Sequence, residues 1–199
     1  MGLEQNSGKL IFVNIKEGKL YIKPKDSEVQ FFDALSGTIT KVDFAKEVFQ
    51  GQEYEKAKII IVDGDDRYQL QIRTDSGYFR GFCNSLKSGD PSKRIRVAPF
   101  YKKENDKTQT TFFVSQNEKT LKHFHTKDNP GDLPQVEEIT FRGKKVWDGS
   151  KQIEYWKQWL LSIKFDHEVI AGANTTTQKQ AATHVTADDI TEPLDDLPF

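Results

Sequence analysis

Arg94, Arg96, Phe100 and Lys102 stand an even number of residues apart in one short stretch of the chain. On an extended strand such residues share a face. Two guanidiniums, a ring and an ammonium would then stand in one row, opposite an apolar set of Ile95, Val97, Pro99 and Tyr101. Cations track phosphates, and a ring stacks on a base whatever its identity, for about 1–3 kcal/mol per base. The chemistry on offer is the capture of a flexible polyanion that carries flat apolar groups. Residues 67–73 add Arg67 and Arg73, with Gln69 and Gln71 between them on the face opposite Tyr68, Leu70 and Ile72. Residues 107–116 add Phe112 as a further stacking ring, because alternation buries only one of Phe112 and Phe113. Lys102, Lys103 and Lys107 flank the turn Glu104-Asn105-Asp106 and bring more positive charge to one end of that surface.

A second chemistry sits at the other extreme of charge. Asp195, Asp196, Leu197, Pro198 and Phe199 follow Asp188, Asp189 and Glu192. Clustered carboxylates, a terminal carboxylate and a phenyl ring make a peptide ligand for a pocket with a basic rim. Residues 171–199 hold five acids (Asp188, Asp189, Glu192, Asp195 and Asp196) against one base, Lys179, a net of −4. The other 28 bases and 25 acids leave +3 on residues 1–170. Such a tail is expected to compete for its own basic face.

Catalytic chemistry reads poorly. Asp63, Asp65 and Asp66 surround Gly64 as turn formers do. His123 and His125 lack the further ligands that zinc needs, and Cys83 alone forms neither a disulfide nor a thiolate cage. No phosphate-cradling glycine loop or nucleophile signature occurs. The expectation is a non-enzyme with no metal and no cofactor.

The elements that would position these side chains follow from the pattern. With 199 residues, 36% hydrophobic and 30% charged, the chain suits one domain, residues 1–170, and an appended tail, residues 171–199. No apolar run reaches the length of a membrane span, and no basic-then-apolar leader opens the sequence, so a cytoplasmic protein is expected. Two short apolar runs around Glu17-Gly18 predict an N-terminal β-hairpin, and Val29-Phe31-Phe32 a further short strand. Extended stretches then cover residues 38–49, 58–62 and 67–73. Asp75-Ser76 opens a helix with Phe79, Phe82, Cys83 and Leu86 at helical spacing, and strands at 93–103 and 107–116 follow. Three strands, a helix and two strands is the order of an OB-fold, a five-stranded Greek-key barrel with its helix between strands three and four. The barrel is expected at about residues 36–117. A C-terminal helix, capped by Asp148 or Ser150, carries the stripe Ile153, Trp156, Leu160 and Ile163. That stripe closes on the barrel or its hairpin, or forms a homodimer contact. Lys144, Lys145 and Trp147 make a weaker second patch, and residues 172–194 read as a disordered linker.

The tip resembles the Asp-Asp-aliphatic-Pro-Phe ending of bacterial-type single-stranded DNA-binding proteins. One elaborated OB domain with an acidic, aromatic-ended tail is similar to the phage version of that family. No motif of the bacterial tetramers occurs in the body, and the linker is Thr/Gln-rich rather than Gly/Pro-rich. The resemblance implies sequence-independent coating of single-stranded DNA during replication, recombination and repair, in the cytoplasm of a bacterial host. It also implies recruitment of replication or recombination proteins through Asp195-Asp196-Leu197-Pro198-Phe199. The groove alone suits RNA as well. A protein–protein adaptor or, more remotely, a metal-dependent nuclease is the alternative from another class.

Overall fold

In a computed structural model of the chain, residues 9–165 are described except Asp26, Asp106 and Arg142. The tail, with its tip Asp195–Phe199, lies outside the described residues. The molecule is mainly β. Strands β1 (Leu10–Lys16) and β2 (Lys19–Ile22) form the expected N-terminal hairpin, and β3 (Gln30–Phe32) pairs antiparallel with β2. Leu20 and Val13 are buried, so this meander contributes to the core as well as lying beside it.

The longest strand, β4 (Leu35–Phe49), binds the two halves of the sheet together. Its first residues, Leu35–Gly37, pair antiparallel with β7 (Ile95–Glu104), and from Thr38 onward it pairs with β5 (Gln52–Asp63). Gly37 stands where the strand changes partner, at φ +154°, and a Cβ there would lie 2.5 Å from the Val62 carbonyl oxygen. Only glycine fits so close a passage. The register slips again between Ile39 and Lys41, a bulge that bends the strand further. β5 continues into β6 (Asp66–Arg73), whose Tyr68, Leu70 and Ile72 face inward as the alternation predicts. β8 (Lys107–Gln116) and β9 (Lys119–Thr120) complete the meander from β7.

The strand order is β3-β2-β1-β6-β5-β4-β7-β8-β9, with β1 running parallel to β6. These pairings draw an open nine-stranded sheet, and do not close five strands into a ring. The N-terminal hairpin is therefore part of the sheet rather than a cover for its edge. The element order from β4 to β8, with one helix after the third strand, is as expected.

That helix, α1 (Gly77–Leu86), starts where Ser76 accepts a hydrogen bond from the Phe79 N–H (3.3 Å). Phe79, Phe82, Cys83 and Leu86 are all fully buried and join Ile59, Ile61, Ile72, Val97 and Val114 in one core. Burial in this apolar setting pushes the Cys83 thiol pKa well above its ordinary value. Gly77 and Gly81 lie directly on β8: a Cβ at Gly77 would come within 2.5 Å of the Thr110 carbonyl oxygen, and one at Gly81 within 3.0 Å of the Phe112 nitrogen.

Beyond β9, a two-stranded antiparallel hairpin, β10 (Glu137–Phe141) and β11 (Lys144–Asp148), leads to α2 (Ser150–Ser162). The helix is capped by neither expected residue: Gly149 is the N-cap, and Asp148 instead accepts a bond from the Ser150 N–H at 2.9 Å. Trp156 and Leu160 are buried in the common core, so the predicted stripe packs within the chain. Among the described residues no helix is long and apolar enough to cross a membrane.

A polar lock joins α2 to the end of α1. The Lys87 ammonium lies 5.0 Å from the Phe124 ring centroid, 4.6 Å from that of Tyr155 and 5.8 Å from that of Trp156. The Tyr155 hydroxyl meets Lys87, bonds His125 Nε2 at 3.1 Å and donates to Asp132 Oδ1 at 3.0 Å. Asn84 holds the His125 backbone through two bonds of 2.8 Å. His125 is only 4% exposed, and burial, then Lys87, lower its pKa against the opposing pull of Asp132. Burial lowers that of His123 as well. A histidine whose folded pKa is depressed is neutral in the fold, while the unfolded chain takes up the proton first as pH drops. The stability it contributes is present above about pH 6.5 and is lost as pH falls below that value. The melting temperature of the native chain is expected to fall more steeply between pH 7 and pH 5 than that of His125→Gln. Parallel pH profiles from thermal unfolding would refute this.

Candidate nucleic-acid interface

β7 alternates as its sequence demands. Ile95, Val97 and Pro99 are buried, and Arg96, Phe100 and Lys102 stand on the opposite face. The register places Ser115 beside Arg96, Phe113 beside Ala98, Thr111 beside Phe100 and Gln109 beside Lys102. Phe113 is 46% exposed and meets Phe100 edge to face, with ring centroids 5.4 Å apart. The outer face of β7–β8 thus carries two adjoining rings between a guanidinium and an ammonium. Lys107, opposite Glu104, lies at the far end of this face, whereas Lys103 belongs by alternation to the other face of β7, beside the turn.

Phe112 does not belong to this surface. It is fully buried, 6.2 Å from the Phe82 ring and 5.5 Å from that of Tyr78. The cause is register: Phe112 is opposite Pro99 and Val114 opposite Val97, both inward-facing, so Phe113 takes the outer position. Phe113, rather than the expected Phe112, is the outward ring of the pair.

Arg94 precedes β7 and leaves the row. Its guanidinium forks onto Asp63 at the end of β5, at 2.7 and 3.0 Å. The bonds from Arg94 hold the Asp63 carboxyl below its usual range, and Asp63 in turn raises the guanidinium. Both side chains are exposed (58% and 42%), and such solvent-screened pairs contribute little to stability. A phosphate could exchange with Asp63 at little cost.

Arg67 and Arg73 stand apart from the β7–β8 patch, on β6, with β5 and β4 between. Arg73 forks onto Asp75 (3.0 and 2.6 Å) and lies 5.6 Å from the Tyr54 ring centroid. Across the register, Arg73 faces Lys56, Gln71 faces Lys58 and Arg67 faces Val62. Lys56 and Lys58 share Glu47, at 3.0 and 3.6 Å. Lys102 pairs with Glu104 at 2.5 Å. Arg67, Lys103 and Lys107 make no ion pair with another described residue.

The candidates therefore divide. Arg96, Phe100 and Lys102, with Lys107, share one patch, Arg67 and Arg73 share another, and Lys103 stands on the face of β7 opposite Lys102. Arg94 is tied to Asp63, and Phe112 is core. Sequence reasoning missed Phe113, Lys56 and Lys58. The lysines were legible as the polar partners of buried Ala57 and Ile59 in Lys56-Ala57-Lys58-Ile59, an alternation that begins before the apolar run. Among the described residues no three His, Cys, Asp or Glu side chains are placed to hold a metal ion. No family model, curated protein or solved structure matches this chain.

Proposed function

We propose that the chain binds single-stranded DNA without sequence preference, on an elaborated OB-type body. Its acidic tip, Asp195-Asp196-Leu197-Pro198-Phe199, recruits replication or recombination proteins. The observation that carries the reading is the exposed Phe113 ring against the half-buried Phe100, with Arg96 and Lys102 on the same face. Rings held open beside cations suit bases that are unpaired and phosphates that are regularly spaced. A duplex hides its base faces and offers nothing for these rings to stack on. The strand-strand-strand-helix-strand-strand order and the pairing of β4 with both β5 and β7 support the OB reading.

Titrating the full chain into labelled oligo-dT, oligo-rU and duplex DNA at two salt concentrations tests this. Tight, salt-dependent binding of oligo-dT with weak binding of duplex is expected. Equal affinity for duplex and single strand, or no binding at either salt, would sink the proposal, and a preference for oligo-rU would move it to RNA.

The tail makes a separate prediction. With −4 on residues 171–199 and +3 on the remainder, the tail competes with DNA for the body. Deleting residues 188–199 raises affinity for oligo-dT, most at low salt where screening is weakest. Identical low-salt affinities of full-length and truncated chains would remove the competition from the mechanism.

A further inference from the structure

The N-terminal meander carries rings that the core does not bury. Phe12 on β1 is 51% exposed and Phe31 on β3 is 56% exposed. Their orientation follows from their neighbours. Val13 and Leu70 are opposite one another and both buried, so the preceding pair, Phe12 and Gln69, faces outward. Leu20 is buried, so the next pair along β2–β3, Tyr21 and Phe31, faces outward too. The Tyr21 and Phe31 rings form a tilted pair, 6.1 Å apart at 47°, that leaves more than half of Phe31 open to solvent.

The surroundings of these rings are cationic and polar. Arg67 is opposite Leu10 on β6, and Lys16 ends the same face of β1 opposite Lys19. Asn14 lies opposite Tyr21. A contact between two copies of the chain would want contiguous apolar surface, whereas here Arg67, Lys16 and Lys19, with the amides of Asn14 and Gln69, surround Phe12 and the Tyr21–Phe31 pair. Because β1 pairs with β6, this face continues from Arg67 and Gln69 without a break.

We infer that β1–β3 form a second base-stacking platform, with Phe12 and Phe31 as its rings and Arg67 and Lys16 as its phosphate contacts. The occupant is the same single strand that the body binds, so the inference rests on the single-strand reading. Neighbouring strands are about 4.8 Å apart, which lets successive bases settle across β6, β1, β2 and β3. The binding site is then longer than the β7–β8 patch alone, and short oligomers do not reach both.

The test compares the full chain with Phe12→Ala/Phe31→Ala, the fold of each checked by thermal unfolding. The double variant is expected to bind a long oligo-dT about tenfold or more weakly. It should bind an abasic sugar–phosphate oligomer of equal length as the native chain does, because only base stacking has been removed. A 5-iodouracil-substituted oligomer should crosslink to peptides containing Phe12 or Phe31, a readout on the unmutated protein. If the native chain binds oligo-dT while the double variant binds it equally, or no crosslink reaches the meander, the platform is wrong and the function proposed above stands. Absence of oligo-dT binding by the native chain would overturn both.

Discussion

Phe100→Ala/Phe113→Ala weakens oligo-dT binding by about 1–3 kcal/mol for each stacked base lost. Its salt dependence should be unchanged, because neither ring neutralises a phosphate. Arg96→Ala and Lys102→Ala behave in the opposite way. Each removes one cation from the same face and lowers the slope of log affinity against log salt by about 0.7 for single strands. The contrast separates stacking from charge on a patch where the two lie side by side. Phe113 is nearly half exposed, so its removal should leave little cavity and little loss of stability. Unchanged affinity in the double phenylalanine variant, with its fold intact, would remove the β7–β8 face from the binding site.

Gly77→Ala should have the largest effect on the fold itself. Glycine to alanine inside a helix ordinarily gains up to about 1 kcal/mol through propensity. Here the sign reverses. The new methyl would lie 2.5 Å from both the Thr110 carbonyl oxygen and its Oγ1, and a strand backbone cannot rotate away. Lifting α1 from β8 also pulls Phe79, Phe82 and Leu86 out of register with the core they fill. A loss of about 2 kcal/mol or more is expected, within the range of overpacked interiors. Gly81→Ala should cost less, since its closest neighbour is the Thr111 hydroxyl, which can turn, although the Phe112 nitrogen is at 3.0 Å. Urea unfolding measures both, and a Gly77→Ala chain more stable than the native one would disprove the close helix–strand contact.

Local periodicity was readable in the sequence, and non-local pairing was not. Tyr68, Leu70 and Ile72 alternate so cleanly that β6 was unambiguous, and the spacing of Phe79, Phe82, Cys83 and Leu86 specified α1 and its buried face. Arg96, Phe100 and Lys102 were legible as a row for the same reason. Two adjacent rings defeat a period of two, because either parity satisfies it. Only the register of β8 on β7 separates Phe112 from Phe113, and register is set by contacts distant in sequence. The Arg94–Asp63 fork spans 31 residues, and no local rule foretells it. The parallel β1–β6 pairing was hidden similarly: the hairpin announced itself, and its docking partner did not.

The burial of Cys83 has a practical consequence for following this protein at work. The chain carries one thiol, fully enclosed between α1 and the sheet, with its ionisation suppressed by the apolar surroundings. Maleimide and disulfide reagents attack the thiolate, so the folded native chain should stay silent towards them. One cysteine placed on an exposed position such as Gln109 would then take a fluorophore alone, with no need to delete the natural one. The response of that single dye to added oligo-dT would report binding while the interior remains as the sequence made it.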